Sequence, residues 1–254
     1  ATSIKVVDGE VINAKASVKY IDENNVTQTV AINSVANLMS IAPEKKAGSA
    51  TYDISEVSST VLDNMVGVTF EGQNTFTKDG VVYATTFMDA NGDGDFNTSL
   101  GDVIDNSVYI AAPAGFSVAT PISTLVYSLV DPEVTANGDI NESNRTALVE
   151  AALEDIAKAL NLSASDIKTV DPLSVVETKP EYALLTALIG ATTNSSTPTA
   201  VRTIANALKA KTAATTPSEA LTNMAEADTA NAAMFNSLSA QLAADANMIN
   251  DVKN

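Results

Sequence analysis

Ala112-Pro-Ala-Gly-Phe-Ser-Val-Ala-Thr-Pro-Ile-Ser-Thr-Leu-Val126 is the stretch at which the chain changes texture. From its second proline onward, Pro121-Ile-Ser-Thr-Leu-Val-Tyr-Ser-Leu-Val130 reads as a helix with proline in the first turn, ended by Asp131-Pro132. Nine of the twelve aromatic residues lie before position 117, in company with Val, Ile and Thr, whereas Ala and Leu dominate afterwards. Aromatic and β-branched side chains suit a pleated surface and alanine suits a helix. The expectation is therefore an α+β protein, with a β half over residues 1–116 and a helical module over 117–254.

Upstream of the junction, Ser3–Val7, Ala16–Tyr20, Val26–Val30, Gly67–Phe70, Val81–Phe87 and Ser107–Ile110 are short β-prone runs. Asp8-Gly9, Asp79-Gly80 and other Gly, Asn and Asp clusters separate them, as tight turns require. The economical arrangement is an antiparallel, Ig-like β-sandwich of about six or seven strands. Residues 34–65 fit it less well and are read as an insertion.

Downstream, Asn141 or Ser143 can cap a helix running to about Asn161, with Val149, Ala152, Leu153, Ile156 and Leu160 along one face. Further helices are expected over 180–192, 198–213 and 217–252, each opened by a proline, the last with a break near Ala227-Asp228. An Ala-rich helical bundle follows from these elements.

Composition narrows the chemistry. The 254 residues include no cysteine, histidine or tryptophan, so the commonest general base, the thiolate nucleophile and the usual zinc and copper ligands are missing. Thirty-one acidic against fourteen basic residues leave a net charge of −17, which repels phosphate backbones and argues against nucleic acid as a partner. No apolar run reaches the roughly 18 residues of a membrane-spanning helix, and Ala1 suits a mature terminus after signal removal.

Met88-Asp-Ala-Asn-Gly-Asp-Gly-Asp-Phe-Asn-Thr-Ser-Leu-Gly-Asp102 sets an oxygen-bearing side chain at every second position from 89 to 97. Calcium takes six to eight oxygens and needs a sharply turning loop, and alternating ligands around a central glycine meet both needs. Counted from Asp89, nine positions follow the EF-hand pattern, with Gly94 at the turn. The pattern then departs, since Leu100 stands where a bidentate glutamate belongs and the next carboxylate is Asp102. Val81–Phe87 alternates like a strand, so the expected site is a strand–loop–strand Ca2+ staple. Its ligands are Asp89, Asn91, Asp93 and Asp102, with Asp95 through carbonyl or carboxylate and Asn97 directly or through water. The competing reading is a metal-free Asx/Gly-rich turn.

Three segments in fixed order resemble a group of bacterial secreted and cell-surface, adhesin-like proteins: Val6–Val18, the loop strand Thr86–Phe96, and the junction Ala112–Val126. Val170-Asp-Pro-Leu173 is similar to a turn of their helical module. The resemblance spans about residues 1–19 and 80–190. It implies an Ig-like or prealbumin-like sandwich, an extracellular calcium loop and a structural or adhesive role, with no catalytic residues to carry over.

The leading expectation is an extracellular, calcium-stabilised subunit of a surface filament or adhesin-like assembly, since extracellular calcium fills even weak sites. Thr2-Ser-Ile-Lys-Val-Val7 could pair with a neighbouring copy's sheet and propagate a homopolymer by strand donation, the alternative for that run being an ordinary intrachain strand. A monomeric cell-surface module recognising carbohydrate or a host protein is the second reading. An enzyme is the third and is not expected, because no carboxylate pair or Ser–Lys arrangement stands in a catalytic motif.

Overall fold

The computed structural model describes residues 2–43, 45–133 and 140–253; Ala1 lies outside them. The chain is mixed α+β, with strands in small sheets first and helices after, as the two textures of the sequence require.

The first strands are β1 (Ser3–Val6), β2 (Glu10–Ile12), β3 (Lys15–Ile21) and β4 (Thr27–Ala31). Residues 34–65 contribute β5 (Ser40–Ala42), β6 (Thr51–Asp53) and a single-turn helix, α1 (Ser59–Asp63), capped by Ser58. The strands continue with β7 (Met65–Glu71), β8 (Phe76–Lys78), β9 (Val81–Tyr83), β10 (Phe87–Asp89), β11 (Val103–Ile104), β12 (Tyr109–Pro113) and β13 (Val118–Ala119). They form four sheets: β13-β1-β6, β11-β10-β2, β12-β7-β3-β4 and β5-β9-β8. All pairings are antiparallel except β1 with β13, which is parallel.

One expectation needs correction here. Val81–Phe87 is not one strand: β9 ends at Tyr83 and β10 begins at Phe87, in different sheets. Past Tyr83 the bonds from Ala84 to the Met39 carbonyl and from Thr86 to the Gln73 carbonyl keep the registers of β9 with β5 and β8, and from Phe87 the chain pairs instead with β2 and β11. Residues 34–65, read as an insertion, are tied to the sheets around them. Their β6 pairs with β1, and Tyr52 packs on Phe70 of β7 at 5.0 Å between ring centroids while bonding the Val11 carbonyl at 2.9 Å.

Thr2–Val7 is a central element of its own chain. Lys5 and Val6 pair with β13, and Ser3, Ile4 and Lys5 pair with β6. Ile4, Val6 and Val7 are buried. The intrachain alternative thus describes this chain's own conformation, although the strand is internal to its sheet and not at an edge.

The helices are α2 (Pro121–Ser128), α3 (Arg145–Leu160), α4 (Ala164–Thr169), α5 (Pro180–Thr193), α6 (Pro198–Lys209), α7 (Pro217–Ala227) and α8 (Ala232–Ala244). Prolines 121, 180, 198 and 217 each open a helix, where a missing N–H costs nothing. Val149, Ala152, Leu153, Ile156 and Leu160 are all buried along α3. Asn144 is its N-cap, while Asn141 acts one turn earlier by accepting from the N–H groups of Ser143 and Asn144. The last helix expected from the sequence breaks at Asp228, after which α8 runs from Ala232.

α2 is buried along its whole length and joins the two halves. Ser123 donates to the Ala111 carbonyl and Thr124 accepts from the Ala111 N–H, so its hydroxyls cover the outer edge of β12. Gly67 on β7 leaves room for the Tyr127 ring: an added Cβ would lie 2.5 Å from Cε2 and 2.6 Å from the Ala112 carbonyl. One buried cluster runs from Ile4 to Ile249 across the boundary expected at 116/117. No helix among the described residues is long and apolar enough to cross a membrane.

Candidate functional site

The acidic loop hangs between β10 and β11, which pair Phe87 with Ile104 and Met88 with Val103. That register brings Asp89 and Asp102 to the mouth of the loop, where both side chains are buried, 1% and 4% exposed. No helix precedes Asp89, in agreement with the strand–loop–strand expectation. Below the loop lies a small apolar cluster of Ile12, Met39, Ala50 and Phe87, against which Phe96 packs. The Phe87 and Phe96 rings meet edge to face at 5.3 Å.

Two buried carboxylates require hydrogen-bond donors, and the loop backbone supplies them. Asp89 Oδ1 accepts from the N–H groups of Asn91 at 3.2 Å and Gly92 at 2.8 Å, and Oδ2 accepts from Gly94 at 2.7 Å. Asp102 Oδ1 accepts from Ala90 at 2.8 Å and Oδ2 from Asn97 at 2.7 Å. The two acids thus gather backbone donors from both arms of the loop. Gly94 has φ +78, and its Cβ would fall 2.4 Å from the Gly48 carbonyl, so glycine is required twice over. Gly48 in turn donates to the Gly94 carbonyl at 2.7 Å, which ties the loop to the 34–65 segment.

The remaining expected ligands lie outward. Asn91, Asp93 and Asn97 are exposed and Asp95 half-buried. Asn91 Nδ2 donates to Asp93 Oδ2 at 2.8 Å, and Asp95 N–H donates to Asp93 Oδ1 at 2.9 Å. The Asn91 amide and then the Asp95 N–H hold the Asp93 carboxyl below its ordinary range. Asn97 accepts from the N–H and hydroxyl of Ser99, capping a short turn of 3₁₀ helix at Thr98–Leu100. Lys45 forms an ion pair with Asp95 at 2.5 Å.

As a donor set the loop is all oxygen and suits a hard cation such as Ca2+, with nothing a thiophilic metal would choose. In this conformation, no group of three or more acidic side chains among the described residues is gathered closely enough to hold a metal ion. Ligation by the full expected set requires the Asp93 carboxylate to exchange its Asn91 amide donor for the ion, and Asp95 to leave Lys45 if it ligates through its carboxylate. The structure brings Asp89 and Asp102 together and leaves Asn91, Asp93, Asp95 and Asn97 on the rim. Sequence reasoning missed Lys45 and the Gly48 backbone. Lys45-Lys46, a basic pair in an acidic chain, was the available signal for the first, whereas Gly48 carried none.

A second acid departs from its ordinary behaviour. Asp8, in the turn after β1, lies against α5, where a Cβ on Gly190 would come within 2.3 Å of its Oδ1. Its Oδ2 is buried without a hydrogen-bond partner among the described residues. Burial pushes the Asp8 carboxyl up to about 6, opposed by a bond from Asn194 and reinforced by the charge of Asp105. The Asn194 amide also reaches Asp105 Oδ2, at 3.5 Å.

Compared with protein-family models, with curated proteins and with solved structures, the chain matches none of them.

Proposed function

We propose that the protein is an extracellular structural subunit of a surface filament or adhesin-like assembly, stiffened by Ca2+ in the 89–102 loop. The observation that supports this most is the meeting of Asp89 and Asp102 at the loop mouth, with five backbone N–H groups already turned toward them. Much of the ordering that a calcium loop demands is therefore in place before an ion arrives. Asp89 and Asp102, joined by Asn91, Asp93, Asp95 and Asn97, would hold the ion, and its charge would offset the repulsion among the four aspartates. The role is mechanical: a cation there links the ends of β10 and β11, and the Gly48 N–H bond to Gly94 couples the loop to the 34–65 segment. The reading needs no catalytic residue.

The same reading takes the β1-centred sheet and the β7-centred sheet, in contact through Tyr52 and Phe70, as the two layers of an Ig-like sandwich. Strand donation then takes the form of exchange, with Thr2–Val7 of a neighbouring copy entering the slot between β6 and β13. The resemblance to secreted, adhesin-like proteins supports the compartment and the role, and the net charge of −17 suits a calcium-rich exterior.

The test is thermal unfolding and electron microscopy in millimolar calcium and then in chelator. Calcium should raise the midpoint by mass action, Asp93→Ala should abolish that rise, and filaments should appear on the grids. An unfolding midpoint indifferent to calcium removes the staple. Single particles under every condition remove the filament.

A further inference from the structure

The four-stranded sheet β12-β7-β3-β4 has two outer edges, and the chain treats them differently. At β12, the hydroxyls of Ser123 and Thr124 and the carbonyl of Asn194 occupy the outward backbone groups. At β4, no comparable cover is found among the described residues. Ile32 donates to the Ala16 carbonyl, which continues the β3–β4 register, so residues 28, 30 and 32 aim their backbone groups at β3. Thr27, Thr29 and Ala31 aim theirs away. Among the described residues, the only side chain that bonds these is the Asn33 amide, 3.5 Å from the Ala31 carbonyl.

Open edges are ordinarily blunted by lysine, proline or a bulge, because they otherwise template further strands. β4 has none of these. There is no charged residue from Asn24 to Pro43, in a chain carrying 45 charged side chains (14 basic and 31 acidic). The uncharged run 106–130 is explained by its burial, but Gln28, Thr29 and Ala31 are exposed and Val26 is 50% exposed.

We propose that β4 pairs antiparallel with β4 of a second copy of this chain, about a two-fold axis through Thr29. Two copies at −17 each repel least across uncharged residues, and the outward positions 27, 29 and 31 carry no charge, the flanking carboxylate of Asp22 being bonded by Gln28. The register is self-complementary. Thr29 faces Thr29 of the copy and Thr27 faces Ala31, so every outward backbone group finds a partner, giving about six hydrogen bonds. The ladder ends where the groups are already used: Asn25 N–H bonds the Asp22 carbonyl, and Asn33 gives its N–H to Glu56 and its carbonyl to Lys78. On the sheet face that carries Val30 and Ile32, the exposed Val26 meets Ile32 of the copy in the closer, non-hydrogen-bonded kind of pair. The contact is isologous and closes at two chains, so it stands independently of calcium binding and of strand donation.

The chain has no cysteine, so single cysteines report the register directly. In sedimentation, the protein should show a concentration-dependent dimer. Thr29→Cys should oxidise to a disulfide-linked dimer at least about tenfold faster than Thr27→Cys, because only position 29 faces itself at bridging distance. Thr29→Pro, which removes an outward N–H and leaves the β3 ladder intact, should yield a monomer with unchanged circular dichroism. Thr29→Lys, which sets two ammonium groups at the axis, should do the same. A monomer at every concentration up to about 0.5 mM, a threshold that a useful self-affinity must clear, overturns the inference. So does equal cross-linking at 27 and 29. Assemblies larger than two chains that ignore Thr29→Pro would overturn it while leaving strand donation intact.

Discussion

Asp89 and Asp8 are both acids withdrawn from water, and the chain provides for them in opposite ways. Asp89 ends a strand at the mouth of a loop whose backbone curls round it, so each carboxylate oxygen meets N–H donors. Asp8 sits in a two-residue turn against the flank of a helix, whose N–H groups are spent on its own carbonyls, and one oxygen is left without a donor. Burial by a loop supplies a donor to every oxygen, whereas burial beside α5 supplies one amide from Asn194 against the cost of desolvation. The first acid gathers a loop conformation around itself, and the second opposes its own ionisation.

The largest expected effect lies on the first side of this contrast. Asp89→Ala strands three backbone donors in a buried site and should cost about 3–5 kcal/mol in denaturant unfolding, with Asp89→Asn recovering part of it. A cost under about 1 kcal/mol would mean that the loop reorganises freely and that the contrast is empty.

The middle effect concerns Asp8 and has the opposite sign. Its folded carboxyl titrates at about 6, above the ordinary 3.8, so ionisation penalises the fold. The penalty is absent below about pH 4, grows between about pH 4 and 6, and is complete above that. Asp8→Asn should therefore stabilise the protein by about 1–2 kcal/mol at pH 7 and leave it unchanged near pH 3.5, as read from unfolding curves across that range. A substitution that destabilises equally at both pH values would show that Asp8 is held by a bond and not endured.

The smallest effect probes the rim. Lys45→Ala breaks a partly exposed ion pair with Asp95 and should change stability by no more than about 0.5 kcal/mol. If the loop takes calcium, the same change should strengthen binding in a calorimetric titration, because Asp95 then has no competing cation. Weaker binding would place Lys45 among the supports of the site.

Much of this was legible in the chain. Prolines 121, 180, 198 and 217 mark helix starts because proline tolerates few other places in a helical sequence. Asp79-Gly80 joins β8 to β9 with both residues at positive φ, as the hairpin signal requires. The loop's strand–loop–strand frame could also be read, since the β-branched and aromatic run before Asp89 favours extended backbone, although it divides into β9 and β10. The partition of the strands among four sheets could not, because alternation fixes which way side chains point but not which neighbour receives the backbone bonds. The β1–β13 pairing joins residues over a hundred positions apart through two-residue contacts, too short to leave a periodic trace. The inward turn of Asp89 and Asp102 against the outward turn of Asn91 and Asp93 was equally hidden, since spacing treats all four as equivalent oxygens.

The placement of α2 has a consequence for the order in which the protein is made. A chain leaves the ribosome from its N-terminus, so β7 and β12 are exposed before Pro121–Ser128 has emerged. Until it does, the β12 edge lacks the Ser123 and Thr124 hydroxyls, and the space beside Gly67 lacks the Tyr127 ring. The nascent β half is thus born with an unguarded edge and an apolar face, in a state prone to the wrong partners. The eight residues of α2 fill that space and take most of that edge, and the Tyr109 N–H waits until the Asn194 carbonyl follows.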